Sequence, residues 1–480
     1  MVRPRALFGV LAVAAVFAVS CSADLELALP DESVTPSVPA ESDVDVPPSP
    51  PPPTATPAPA GRAQLPEDQL LQPGPRIAIQ TATGQIFTVL ADGSNPVPLT
   101  DPEEGTTNSV PTWSLDANRL GWVTTSPSNG SVWVRSARFD GSDWFQQPMT
   151  NVPFYLAWDP TGSQVATLGP TARGLELGVV SLPDDSYKKV DEGSPFWFSW
   201  SPDADGFLVH ASGLRLDLVP TDGTPQVLEE FPGAFQAPHW LDGAVQLIYA
   251  DAVDGADFLV VSGDEGGGRR ALVTYDGYLQ FSVAPQTGLV AMYVRDPSEG
   301  NDGDTITVAF QDDEYVDIID PINREELTII ATFGGDPWVV YPAPSDLSPY
   351  RMVGFYWSPD GNTLAWLVEV EAGDGNCGSE TALYEWNFYT GTAVTSGPRF
   401  VPTATFACAY APFFDQLSQS ISFWSPDGSV LSYAGTDDTT GERGIWNVSI
   451  DSLGSPTFIA EGEIAVWSPQ AAGSAGANAS

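Results

Sequence analysis

The residues able to do chemistry in this 480-residue chain are few apart from its carboxylates: two histidines, three cysteines, and 62 acidic against 18 basic side chains. His210 closes the apolar run Phe207-Leu208-Val209, and His239 stands in Pro238-His239-Trp240. Both read as structural positions on strands. With no histidine cluster and no Cys-His spacing, a zinc site has nothing to be built from. No Gly-x-Ser-x-Gly nucleophile elbow occurs, so the hydrolase nucleophile that such an elbow presents is missing. Asp296, Asn301, Asp302 and Asp304, with Glu299, crowd one segment and supply the hard oxygens calcium takes, but their spacing is not that of a twelve-residue calcium loop. They are weak calcium candidates, and the better reading is a solvated acidic loop. Neither a metal nor another cofactor is assigned. With so many acids, paired carboxylates for glycoside chemistry can be drawn anywhere by chance.

Cys377 and Cys408 form an even pair in a chain that carries export signals, and an even pair there is read as a disulfide. Closing a loop of about thirty residues contributes about 3–4 kcal/mol in the chain-entropy account. A reactive thiol would need an activating histidine, and none is near in sequence.

These residues sit on a repeating phrase: an apolar residue, Trp, Ser, Pro, Asp, Gly, then an apolar run. It reads Phe198-Ser199-Trp200-Ser201-Pro202-Asp203, Tyr356-Trp357-Ser358-Pro359-Asp360-Gly361 and Phe423-Trp424-Ser425-Pro426-Asp427-Gly428. Registered on the Trp, copies fall at Trp113, Trp158, Trp200, Trp240, Val283 (without Trp), Trp357, Trp424 and Trp467, spaced 45, 42, 40, 43, 74, 67 and 43 residues apart. Five of these seven intervals match a four-stranded propeller blade, about 40–45 residues, and the two long ones are blades with insertions at about 297–345 and 368–416. Within the phrase, Pro presets φ, Asp bonds locally to backbone and Gly takes the positive φ that closes the turn. Asp203, Asp360 and Asp427 are therefore turn residues. Runs such as Thr363-Leu364-Ala365-Trp366-Leu367 and Val430-Leu431-Ser432-Tyr433-Ala434 follow as strands of period two.

The repeated phrase and its following Leu364-Ala365-Trp366 strand resemble the WD-like repeat of TolB-type β-propellers, seen also in the propeller domains of prolyl-oligopeptidase-type enzymes, over about residues 76–469. The resemblance implies an all-β propeller of about eight blades, seven if the copy at Val283 forms none. The first unit lacks the phrase and the phrase at Trp467 lacks following strands, so the two ends are expected to complete one blade and remove its free edges. Thirteen residues follow Trp467, too few for a hydrolase domain of the prolyl-oligopeptidase kind.

Arg3 and Arg5 precede an apolar stretch from Ala6 to Val19, short for a membrane span and right for a signal-peptide core. It ends Ala18-Val19-Ser20-Cys21, which resembles the lipobox of bacterial lipoproteins with Ala18 where Leu is usual; the resemblance implies lipidation of Cys21. Expected boundaries are 1–21 signal peptide and lipobox, 22–75 a Pro-rich spacer of polyproline II character, 76–469 the propeller and 470–480 a tail.

A net charge of −44 with so few Lys and Arg leaves no material for a phosphate-tracking surface, which excludes nucleic acid and basic-patch membrane binding. The expectation is a monomeric, lipid-anchored, extracytoplasmic propeller that binds an envelope protein or extracellular ligand, with recognition on the two insertions. The competing reading is a hydrolase or lyase of extracellular polymer with carboxylates gathered in the central funnel. An apolar mouth favours the first, a carboxylate cluster the second.

Overall fold

Strand-forming runs joined by tight turns give a ring of antiparallel sheets in the computed structural model, which describes residues 71–470 apart from 102–105, 234, 242–245, 254, 296–309, 312–313, 316–325, 333, 335, 342–350 and 375. Eight blades are present. The innermost strands of seven are Thr107–Trp113, Tyr155–Trp158, Phe196–Trp200, His239–Trp240, Tyr278–Val283, Arg351–Trp357 and Ile464–Trp467. The last of these closes the ring. It pairs antiparallel with Arg76–Gln80, in the register Ile77 to Trp467 and Gln80 to Ile464, so the C-terminal strand is the inner strand of the N-terminal blade. Ser468 N–H donates to the Arg76 carbonyl at 2.8 Å and Arg76 N–H to Ser468 Oγ at 3.0 Å, extending the seam past the last strand pair. The Val283 copy forms its own sheet with Leu289–Arg295, Leu327–Ala331 and Trp338–Tyr341.

The eighth blade departs from the pattern. Its inner strand is reduced to a single bridge, Trp424 to Leu431, and its second strand Val430–Asp437 also pairs with the end of Val394–Pro402 from the blade before, through Phe400 to Asp437. The two blades thus share one seven-stranded sheet. The first insertion adds Phe310–Gln311 and Glu314–Tyr315 to the edge of the preceding blade's sheet, by the pair Arg270 to Gln311.

Strands expected to alternate are instead buried continuously. All five residues of Leu327–Ala331 and all six of Gly206–Ala211 are buried, as are Leu364 to Val368. A blade's inner strands are covered by a neighbouring blade on each face, so neither side is left for water.

Candidate functional site: a plugged channel and an apolar cup

Four of the eight phrases, those at Trp113, Trp200, Trp357 and Trp424, build their turn in one way. The serine Oγ donates to the aspartate two residues on, Ser114 to Asp116, Ser201 to Asp203 and Ser425 to Asp427 at 2.6 Å and Ser358 to Asp360 at 2.5 Å. The same Oγ accepts from the N–H that opens the next strand, at 3.0 Å from Arg119 and Gly206 and 2.9 Å from Thr363 and Val430. One hydroxyl can do both because it carries one proton and two lone pairs. Gly361 has φ +68°, and a Cβ there would overlap the Pro285 carbonyl of the preceding blade, so turn chemistry and blade packing both demand glycine.

The phrase tryptophans link the blades. Each indole N–H donates to the carbonyl of the residue just before the phrase position of the preceding blade: Trp113 to Val466, Trp158 to Thr112 and Trp357 to Ser282 at 3.1 Å, Trp200 to Ala157 at 3.0 Å, and Trp424 to Tyr356 at 3.2 Å. Trp467 instead reaches Ser432 Oγ at 2.8 Å, because Ser432 N–H has taken the Phe423 carbonyl. The chain of bonds lapses on one side of the ring. Trp240 Nε1 has no partner, and Val283 has no indole to offer.

The central channel is filled by the segment after Val394–Pro402, which winds through Phe406–Tyr410, Ala411–Phe413 and Phe414–Leu417. Gln416 is its anchor. The Phe198 N–H donates to Gln416 Oε1 at 2.9 Å, Gln416 Nε2 donates to the Phe198 carbonyl at 2.7 Å, and Tyr155 Oη donates to the Gln416 carbonyl at 3.1 Å. Further bonds run from Thr112 Oγ1 to the Ser420 carbonyl at 2.9 Å and from Gln419 Nε2 to the Pro238 carbonyl at 3.2 Å. Phe414 packs on Phe355 with ring centroids 4.5 Å apart, and Phe413 meets Trp197 edge to face at 5.9 Å. The plug is thereby tied to the inner strands of five blades. Cys408, in its first turn, is joined to Cys377 of the 372–382 hairpin loop, with Cα atoms 5.3 Å apart.

Above the plug, on the phrase face, lies a cup of about 400 Å³. Ser418 to Ser422 form its floor, Trp113, Trp357, Trp424 and Trp467 its wall, and Pro285, Pro359, Pro426 and Pro469 its rim, with Leu115 standing where a fifth proline would. His239 reaches the wall from the fifth blade. No Asp, Glu, Lys or Arg is among the lining residues.

Burial governs the titratable groups of this interior. It pushes the His239 and His210 imidazoles down to about 4, so both are neutral at pH 7. Burial pushes Asp415, on the plug, up to about 6, against a 3.4 Å hydrogen bond from the Ala237 N–H and the attraction of Arg295. Tyr155 is raised to about 12 by the same desolvation.

Of the residues singled out in the sequence, Asp203, Asp360 and Asp427 lie in the turns, His210 is buried with Nδ1 3.1 Å from the Gln236 carbonyl, and His239 lies on the strand His239–Trp240 and lines the cup. The second insertion, expected as a displayed recognition loop, turns inward from residue 403 on as the plug, because its uncharged aromatic run cannot stay in water. Cys21, Asp296, Asn301, Asp302 and Asp304 lie outside the described residues. Among the described residues no His, Cys, Asp or Glu group could hold a metal ion, and no helix is long and apolar enough to cross a membrane. Sequence reasoning missed Gln416, Asp415 and Thr112; only the uncharged run from Phe406 to Phe414, in a connection that would otherwise be wet, hinted at them.

No family model matches the chain, and no curated protein matches it. The fold is that of a β-propeller. Among solved structures, the crystal structure of the eukaryotic initiation factor is similar over 83% of this chain and 99% of its own, with a TM-score of 0.50 and 11% identity. The β-propeller domain of the Trilobed protease from Pyrococcus furiosus aligns over 75% of this chain and 99% of its own (TM-score 0.40, 12% identity). TolB from Acinetobacter baumannii aligns over 54% of this chain and 62% of its own (TM-score 0.32, 16% identity). At such identities the likeness is one of fold alone.

Proposed function

We propose that this chain is a lipid-anchored, extracytoplasmic propeller that binds an envelope protein or extracellular ligand at the cup on its phrase face, without turning it over. The observation carrying the reading is the cup's lining: chiefly tryptophan, proline and serine, with no Asp, Glu, Lys or Arg among its described residues and a neutral histidine. A volume of about 400 Å³ suits a side chain or small ligand docked on a mostly apolar surface with a few polar groups to orient it. A hydrolase or lyase working through carboxylates would need an acid and a base facing into the cup, and no Asp or Glu is among its described lining residues. The test is a photo-crosslinking residue placed at Leu115, which is 52% exposed on the rim. In the native envelope it should capture a partner or ligand that the same residue placed at Val394, on an outer strand, does not. Equal capture at both positions, or turnover of a polysaccharide or peptide panel by the purified chain, would replace this reading.

A further inference from the structure

The phrase that builds the cup also sets charge around it. At three of the five rim positions the rim residue is followed directly by the turn aspartate, Leu115 by Asp116, Pro359 by Asp360 and Pro426 by Asp427, while Pro285 and Pro469 are followed by Gln286 and Gln470. Asp360 and Asp427 are exposed, as is Asp203 on the fourth blade. Among the described residues these three form no ion pair. The hydrogen bonds that shape the turns also hold the charge in place. The Ser201 and Ser425 hydroxyls, with backbone N–H groups, keep Asp203 and Asp427 below the ordinary carboxylate range. For Asp116 and Asp360 burial works upward, but the serine and asparagine bonds prevail. An uncharged, largely apolar cup is therefore flanked at three of its five rim positions by fixed carboxylates, on a chain of net charge −44.

We infer that the cup's partner is a cationic segment carrying an apolar anchor: a side chain, best an aromatic one, that fills the cup while flanking Arg or Lys lie over the turn aspartates Asp116, Asp360 and Asp427. This rests on the cup being the binding site and names the chemistry of what enters it. Carboxylates around a low-dielectric opening concentrate cations and repel anions, so they govern encounter and partner choice. The anchor supplies retention, since an aromatic side chain buries about 150–250 Å² and finds proline and tryptophan edges to pack on. Neither part suffices. The acidic exterior alone attracts any cation, and the cup alone does not discriminate charge.

The test uses the full chain and three labelled peptides: Arg-Arg-Phe-Arg-Arg, the same sequence with Gln for each Arg, and the same sequence with Ala for Phe. Anisotropy is read between about 0.01 M and 1 M salt, where the Debye length falls from about 30 Å to about 3 Å. The Arg-Phe peptide should bind at least about tenfold tighter than either control at low salt and weaken steeply as salt rises. Asp360→Asn with Asp427→Asn, checked by a thermal melt, should lower its affinity and flatten the salt dependence. If the Gln peptide binds as tightly, the charge inference is overturned while the cup stands as a site. If the Ala peptide binds as tightly, the attraction is that of any polyanion and the anchored mode is wrong. If none binds, the partner chemistry is wrong, and crosslinking from Leu115 still decides separately whether the cup is used.

Discussion

Gln416 stands in for a missing β-strand. Its carboxamide accepts from the Phe198 N–H at 2.9 Å and donates to the Phe198 carbonyl at 2.7 Å, pairing both polar groups on the channel-facing edge of an inner strand. An unpaired backbone edge facing a filled channel would leave buried donors and acceptors without partners. Gln416→Leu keeps much of the volume and orphans both, so it should destabilise by about 2–6 kcal/mol, at about 1–3 kcal/mol for each unsatisfied group. Gln416→Glu should do no better, because a carboxylate can accept from the N–H but repels the carbonyl. Equilibrium denaturation checks this; a change of under about 0.5 kcal/mol would be that of an ordinary surface substitution and would mean the plug is not held here.

The Cys377–Cys408 link binds the plug to an exposed hairpin loop across 31 residues of sequence. Cys377→Ser with Cys408→Ser should lower stability by about 3 kcal/mol in the chain-entropy account and make the stretch from Thr403 to Ser422 a preferred site of limited proteolysis, read by mass spectrometry of the fragments. Cleavage unchanged in position and rate would show that the hydrogen bonds of Gln416, Gln419 and Thr112 suffice.

The turn roles of Asp203, Asp360 and Asp427, the eight-fold spacing and the closure of the ring by the last phrase could all be read from the sequence, because each is a local signal repeated at a period. The plug could not. Residues 403–421 follow neither a period of two nor one of 3.6, and their bonds reach partners such as Thr112 and Phe198 that are hundreds of positions away. The cup was equally hidden, for a rim of four prolines and Leu115 on five different turns emerges only when the ring closes. The indole bonds between blades were half visible: the recurrence of Trp was plain, but its acceptor is a backbone carbonyl, which no side-chain pattern marks.

Asp415 is the one carboxylate of the plug segment 403–421, and burial raises it to about 6 from an ordinary 3.8. A carboxyl whose folded value lies above its unfolded one favours the fold while protonated, and that contribution disappears as pH rises through about 6. Asp415→Asn keeps the acceptor for the Ala237 N–H and removes the charge. It should leave stability below pH 4 unchanged and raise it by up to about 3 kcal/mol at pH 8. Denaturation midpoints across that range test the sign; a variant less stable at pH 8 would show that the ionised form is paired, with Arg295 as the candidate partner.

Cys21 carries the proposed anchor. Cys21→Ala should turn a chain extracted only by detergent into a soluble or unprocessed one, and intact-mass analysis should find acyl chains on the mature N-terminus of the native protein alone. A mature N-terminus elsewhere, without acyl groups, would remove the anchor and leave the propeller as a freely secreted or periplasmic chain.

The seam between the ends is the last test of the ring. Ile464–Trp467 contributes four pairs to Arg76–Gln80, a bond from the Val466 carbonyl to the Trp113 indole, and the Trp467 indole bond to Ser432. Removing residues from Glu463 onward strips the inner strand from the first blade, the acceptor from the second and a packed tryptophan from the eighth. Fresh strand edges then face water on a chain built to have none, so aggregation and loss of a single cooperative transition are expected. Trp467→Phe separates seam from side chain: it keeps the backbone pairs and most of the ring volume but removes the indole N–H donated to Ser432 Oγ, which still donates to Asn447, and should lower stability by about 1–3 kcal/mol while the melt stays cooperative. If the truncated chain melts as the full one does, the ring is held by blade-to-blade packing alone and the strand pairing at its ends is dispensable.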